Sequence, residues 1–213
     1  MAEHSGRLID LLAGQPVVPV VSIERLADAV PLARALSRGG LPAIEITLRT
    51  DVALDAIRLV AKDVPEAIVG AGTILSARAY GEAAAAGARF IVSPGSTREL
   101  LGEAETGDVP FLPGAVTPSE ILALRDAGYT MVKFFPAEQA GGAGYLKSLA
   151  APLPAIRFCP TGGITAANAA SYLSLPNVVC VGGSWVAPDA LMKQGRWDEI
   201  EALAREAAAL RRA

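Results

Sequence analysis

The chain has 213 residues, 52% of them hydrophobic and 5% aromatic, with mean hydropathy +0.37 and a formal net charge of −3. That length suits one large domain or two small ones and is enough to bury a sizeable core; alanine accounts for much of the apolar excess, so this is not the composition of a membrane protein. A single histidine, His4, disfavours a Ser-His-Asp triad and excludes a multi-histidine metal site, Cys159 and Cys180 form no C-x-x-C pair, and no apolar run approaches the ~18 residues needed to span a bilayer.

The N-terminus carries Glu3 and Asp10 but no basic stretch, which argues against a signal peptide. With two cysteines read as reduced, buried thiols, the expected compartment is the cytoplasm. The mild negative charge and the lack of a basic cluster argue against a nucleic-acid partner. His4 is read as an exposed terminal residue, and Arg7–Leu12 as a short opening helix.

Eight short apolar runs then follow: Val17–Val21, Ala43–Thr47, Ala67–Ala71, Phe90–Ser93, Phe111–Pro113, Met131–Phe135, Arg157–Pro160 and Val178–Val181. Near-continuous apolar runs suit parallel strands buried on both faces. Helical stretches fill the gaps. Glu24–Ser37 carries Leu26, Val30, Ala33 and Leu36 at helical spacing and stops before Gly39-Gly40. Asp51–Lys62, Ser76–Ala86, Pro118–Ala127, Thr165–Leu173 and a closing Asp198–Arg212 are similar. Thr50 or Asp51, Ser76, Thr97, Thr117 and Thr165 stand where N-caps are wanted. Eight strand–helix repeats predict one (β/α)8 (TIM) barrel domain over 1–213 with an N-terminal helix. The alternative is an open doubly wound sheet, and the three-residue Phe111–Pro113 run is the weakest strand.

Two charged residues interrupt apolar runs. Lys133 lies in Met131-Val132-Lys133-Phe134-Phe135-Pro136. Burying an ammonium is costly, so such a lysine tends to lose its proton and becomes a nucleophile for carbonyls. A lysine reaching out to a strand end, or one in a buried ion pair, would give the same pattern. Glu45 lies in Ala43-Ile44-Glu45-Ile46, where Thr47 and Arg49 share its face if the strand runs that far. Glu45 suits general acid–base work and Arg49 suits bidentate binding of a carboxylate; alternatively the two pair with each other.

Glycine pairs follow the last two runs, in Thr161-Gly162-Gly163-Ile164-Thr165 and Val181-Gly182-Gly183-Ser184. In barrels the loops after strands seven and eight commonly bind phosphate through backbone N–H groups, though two tight turns would also use glycine. Gly70–Thr73, Ser93-Pro94-Gly95 and Pro113-Gly114 bring small residues to other strand ends. Glu138 is a second carboxylate near the site, Gly141–Gly144 reads as a flexible loop, and Trp185 and Trp197 as core or interface aromatics.

Taken with Glu45–Thr50, Gly70–Thr73, Ser93–Gly95, Val132–Glu138, Arg157–Ile164 and Gly182–Trp185, the chain resembles the bacterial 2-keto-3-deoxy-6-phosphogluconate (KDPG) and 4-hydroxy-2-oxoglutarate (KHG) aldolases. The resemblance runs from about Pro16 to the C-terminal helix. It implies a class I, imine-forming carbon–carbon lyase that needs no metal and no other cofactor. Such an enzyme cleaves KDPG to pyruvate and glyceraldehyde 3-phosphate in the Entner–Doudoroff pathway, often also KHG to pyruvate and glyoxylate, and is a cytoplasmic homotrimer of barrels. By resemblance Lys133 is the Schiff-base lysine and Glu45 the proton shuttle. Arg49, Thr73 and Pro94 contact the pyruvyl end, Phe135 is counted with them as a substrate contact, and Thr161 controls stereochemistry near the aldehyde. Gly162, Gly163, Gly183 and Ser184 form the phosphate cradle. The competing readings are a phosphogalactonate-type aldolase, a barrel that isomerises a phosphosugar without a covalent step, and a non-catalytic phosphometabolite-binding protein.

Overall fold

The computed structural model describes residues 2–12 and 14–210, with side chains from residue 6 onward. The exposure expected of His4 and the last two residues of the predicted closing helix, 211 and 212, lie outside that set.

Among the described residues, nine parallel strands form two sheets. Six strands are β1 (Val17–Val21), β2 (Ala43–Thr47), β3 (Ile68–Gly72), β4 (Ile91–Val92), β5 (Phe111–Leu112) and β9 (Val181–Gly183), in the order β5-β4-β3-β2-β1-β9. The second sheet holds β6 (Gly114–Ala115), β7 (Met131–Phe134) and β8 (Arg157–Pro160). The eight runs become nine strands because Phe111–Pro113, the weakest of them, runs on to Ala115 and is broken at Pro113. A proline has no N–H to give the ladder, so β5 pairs with β4 on one side of it and β6 with β7 on the other. The single eight-stranded sheet predicted from the run count is therefore interrupted. The ladder's other weak point lies between β8 and β9, where single bridges, Phe158 with Val178 and Thr161 with Gly182, replace a continuous pairing.

The helices are α1 (Ala2–Leu12), α2 (Ala29–Arg38), α3 (Ala53–Asp63), α4 (Ala77–Ala85), α5 (Arg98–Thr106), α6 (Pro118–Asp126), α7 (Gly142–Leu149), α8 (Ala169–Leu173), α9 (Asp189–Lys193) and α10 (Trp197–Ala208). Ser76, Thr97 and Thr117 cap α4, α5 and α6 through their hydroxyls, and Thr117 forms a capping box with Glu120. Four expectations need correction. The helix predicted over Glu24–Ser37 starts at Ala29, after a 3-10 turn over Leu26–Asp28. Pro31 would clash with the carbonyl four residues back, so it must sit in the first turn. The helix predicted from Thr165 starts at Ala169, because the Asn168 side chain accepts from the Thr165 N–H at 2.8 Å and donates to Gly163 O at 3.1 Å, tying that stretch into a turn. The predicted loop Gly141–Gly144 instead opens α7, whose Leu146 and Leu149 are buried. Thr50 is no cap: its hydroxyl donates to Ile23 O at 2.6 Å.

Alternation along the strands makes two cores. One face packs on the helices, through residues such as Ile44, Ile46, Val69, Val132, Phe134 and Phe158. The other face joins strands of both sheets in a second cluster: Val18, Ala43, Val92, Leu112, Met131 and Cys159, with Phe90, Cys180, and Leu8 and Leu12 of α1. Fully burying side chains of this size contributes about 1.5–3 kcal/mol each. Gln15, only 2% exposed, ties the start of β1 to β2 by donating to Val17 O and Ala43 O and accepting from the Ala43 N–H. Along this second face, Glu45 follows Ala43 on β2 and Lys133 follows Met131 on β7, so the apolar cluster gives way to charge toward the strands' C-terminal ends.

Candidate active site

Lys133 and Glu45 meet across the two sheets. Nζ lies 3.1 Å from Glu45 Oε1, with side chains 5% and 4% exposed. Other ion pairs, such as Arg25–Asp28 and Arg38–Glu201, keep the arginine about half exposed and contribute little. A buried pair differs: removing one partner leaves an uncompensated charge, at a cost of about 3–5 kcal/mol. Of the alternatives open in the sequence, Lys133 is thus in a buried ion pair, and Glu45 pairs with it and not with Arg49. The Phe135 ring lies 5.5 Å from Nζ and screens the pair from one side.

The pair fits because β3 supplies no side chain opposite it. A Cβ on Gly72 would stand 2.1 Å from Glu45 Oε1 and 2.6 Å from its Cγ. Gly72→Ala is therefore expected to displace the carboxylate and to cost about 1–3 kcal/mol in overpacking strain. Thermal melts and steady-state kinetics check this; a variant with unchanged Tm and turnover would mean that Glu45 is free to move.

Immediately after Gly72, Thr73 adopts a left-handed backbone (φ 59°), an outlier for a β-branched residue costing on the order of 1–3 kcal/mol. Its Oγ1 accepts from Arg49 Nε at 3.0 Å. That bond orients a guanidinium whose head is otherwise exposed and has further N–H groups to offer an anion. Thr47, expected on the same face as Glu45 and Arg49, is committed elsewhere: its hydroxyl bonds Ser22 Oγ at 2.7 Å and Val21 O at 3.1 Å.

A cavity of about 490 Å³ opens beside the pair, lined by Arg49, Phe135, Thr161, Gly162, Gly163, Gly183 and Ser184. Lys133 and Glu45 do not line it; Phe135, which does, lies 5.5 Å from Lys133 Nζ. Pro94 lines an adjoining cavity of about 250 Å³, also bounded by Phe135. Thr161 Oγ1 is buried with no hydrogen-bond partner. It rests against Gly182, where a Cβ would come within 2.3 Å of it. A buried hydroxyl left without a partner is costly; Thr161 as a residue lines the cavity. Gly162 and Gly163 take φ +102° and +74°, and Trp185 packs so closely on Gly183 that a Cβ there would meet the indole at 1.8 Å. Both backbones can therefore come close to a ligand.

Sequence reasoning missed Ser22, Glu24, Asp189 and Met192, which also line the cavity. Their signals were weak: they sit in turns after β1 and around the short α9. Glu138 was expected near the site, yet it does not line the cavity; its Oε1 accepts a hydrogen bond from Tyr172 Oη. Among the described residues, no group of three or more His, Cys, Asp or Glu side chains could hold a metal ion, and no helix is long and apolar enough to cross a membrane.

Comparison with known proteins gives a consistent picture. Residues 8–203 match the family model for KDPG and KHG aldolase. The chain is 50% identical over 200 residues to the 2-dehydro-3-deoxy-phosphogluconate aldolase of Pseudoalteromonas atlantica, covering 94% of this chain and 93% of that one. It is 50% identical over 197 residues to the KHG/KDPG aldolase of Escherichia coli K12, covering 92% of each. Among solved structures, the KDPG aldolase of Legionella pneumophila, with pyruvate captured at low pH as a covalent carbinolamine, superposes with a TM-score of 0.92 at 43% identity, over 94% of this chain and 98% of that one. The chain belongs to the KDPG and KHG aldolase family.

Proposed function

We propose that this protein is a class I aldolase that cleaves KDPG to pyruvate and glyceraldehyde 3-phosphate, and also KHG to pyruvate and glyoxylate. The observation that carries this reading is the buried Lys133–Glu45 pair, 3.1 Å apart, beside a cavity containing Arg49. Arg49, steadied by Thr73, holds the substrate carboxylate so that the C2 ketone faces Lys133 in one orientation. Once its ammonium proton has passed to Glu45 or water, neutral Lys133 Nζ attacks C2 to give a carbinolamine; that proton then goes to the carbinolamine hydroxyl, which leaves as water and gives an iminium. Glu45, directly or through water, takes the C4 hydroxyl proton; the C3–C4 bond breaks and its electron pair flows into the iminium, forming an enamine. The aldehyde leaves, Glu45 returns a proton to C3, and hydrolysis frees pyruvate and regenerates Lys133. The hydroxyl of Thr161 lies near the aldehyde. Gly162, Gly163, Gly183 and Ser184 cradle the phosphate, whose remote binding energy helps orient the reacting centre.

The wider reading follows the family. The two sheets close into one (β/α)8 barrel domain over 1–213, supported by the single bridges between β8 and β9 and by an apolar cluster shared between the sheets. The barrels associate as a cytoplasmic homotrimer. Leu75, 65% exposed, is the kind of side chain a subunit contact covers; a monomer in sedimentation velocity would remove this part.

The test is pyruvate release coupled to lactate dehydrogenase, with KDPG, its C4 epimer and KHG side by side. Turnover of KDPG and KHG, unaffected by EDTA, is expected. Binding without pyruvate release would sink the proposal, preference for the epimer would make this a phosphogalactonate-type aldolase, and loss of turnover in EDTA would make it a metal-using enzyme.

A further inference from the structure

β7 leads from Lys133 through Phe135 and Pro136 to Glu138, and this stretch grips the Thr161–Gly163 loop. The Ala137 N–H donates to Thr161 O at 2.8 Å and the Glu138 N–H to Gly162 O at 3.1 Å. The Glu138 side chain then lies along Gly163, where an added Cβ would stand 2.7 Å from both its Cβ and its Cγ. Tyr172 on α8, fully buried, donates its hydroxyl to Glu138 Oε1. Burial first, then the carboxylate beside it, raise the Tyr172 pKa above the usual tyrosine range, so the hydroxyl stays protonated as a donor. The carboxylate is thereby fixed at one place next to a glycine loop. Released, it would be a mobile anion beside backbone N–H groups, which attract any anion within reach.

We propose that Tyr172 is a positioning residue for anion recognition: by pinning Glu138 against Gly163 it fixes the Gly162–Gly163 loop and keeps a competing carboxylate off its amides. This rests on the reading that the loop receives the substrate phosphate. Glu138, placed near the site by sequence and found outside the cavity, thus acts through the loop and touches no substrate.

Tyr172→Phe keeps the ring and removes only the donor. KM for KDPG is expected to rise about tenfold, the order produced by losing one hydrogen bond to a charged group, with kcat little changed. Because KHG carries no phosphate, its kcat/KM falls less, so selectivity for the phosphorylated substrate drops. Inhibition by inorganic phosphate weakens by the same factor. Adding Glu138→Gln to Tyr172→Phe removes the competing charge and is expected to restore part of the KM. An equal loss on both substrates, or a fall in kcat alone, would assign Tyr172 a purely structural role and overturn the proposal. So would an unchanged KM in a variant that inorganic phosphate still inhibits. Wild-type protein on which inorganic phosphate has no effect would overturn the phosphate reading itself, and this proposal with it.

Discussion

Lys133→Met is expected to reduce pyruvate production by more than about 10³-fold, because the variant has no amine to form the imine. It also leaves Glu45 buried without its partner, at a cost of about 3–5 kcal/mol. For a chain of this size that lowers Tm on the order of 10 °C. The loss of activity must therefore be read well below the new Tm, with circular dichroism showing a folded sample. An independent measurement avoids the folding question. Wild-type protein treated with pyruvate and borohydride is expected to carry one reduced adduct, located at Lys133 by peptide mass spectrometry. Lys62, Lys147 and Lys193 serve as internal controls, since all three are exposed. An adduct elsewhere, or none, would refute the imine at Lys133.

Glu45→Gln is expected to separate imine formation from proton transfer. The amide has nearly the volume of the carboxylate, so the space opposite Gly72 remains filled, but it cannot accept and return a proton. Loss of a positioned general acid–base lowers the rate by about 10²–10⁴. The borohydride adduct at Lys133 should persist. Exchange of the pyruvate methyl protons with deuterated water, followed by NMR, should slow by a factor similar to kcat, since it uses the same proton transfer without carbon–carbon cleavage. Exchange at the wild-type rate would remove Glu45 from that role.

These two residues were legible in the sequence for a simple physical reason. Each is a lone charge in an apolar strand, and such a charge must be paired or neutralised wherever the strand is buried. Their pairing with each other was not legible, because it depends on a glycine, Gly72, on a third strand. The unpartnered hydroxyl of Thr161 was hidden in the same way, since it depends on what Gly182 lacks. The strand pattern was visible as eight runs. The break at Pro113 turned on one missing N–H whose effect cannot be read until its neighbours are known. Glu138 shows the converse error: nearness in sequence to Lys133 suggested a place in the site, while the fold turns its side chain toward Tyr172. The helix starts at Ala29 and Ala169 were missed because local devices, Pro31 in the first turn and the Asn168 side-chain turn, overrode helical periodicity.

The scarcity and placement of lysine also bear on how the protein can be handled. Only 4 lysines occur against 15 arginines; three of the four are exposed and the fourth is 4% exposed. Amine-directed acylating reagents, used to tether a protein to beads or a sensor surface, would be drawn to Lys62, Lys147 and Lys193. Lys133 is buried and held by Glu45, so bulky activated esters are kept from it. Covalent immobilisation through surface amines should therefore leave the reactive amine free, and guanidinium groups would still supply most of the positive charge on the attached protein.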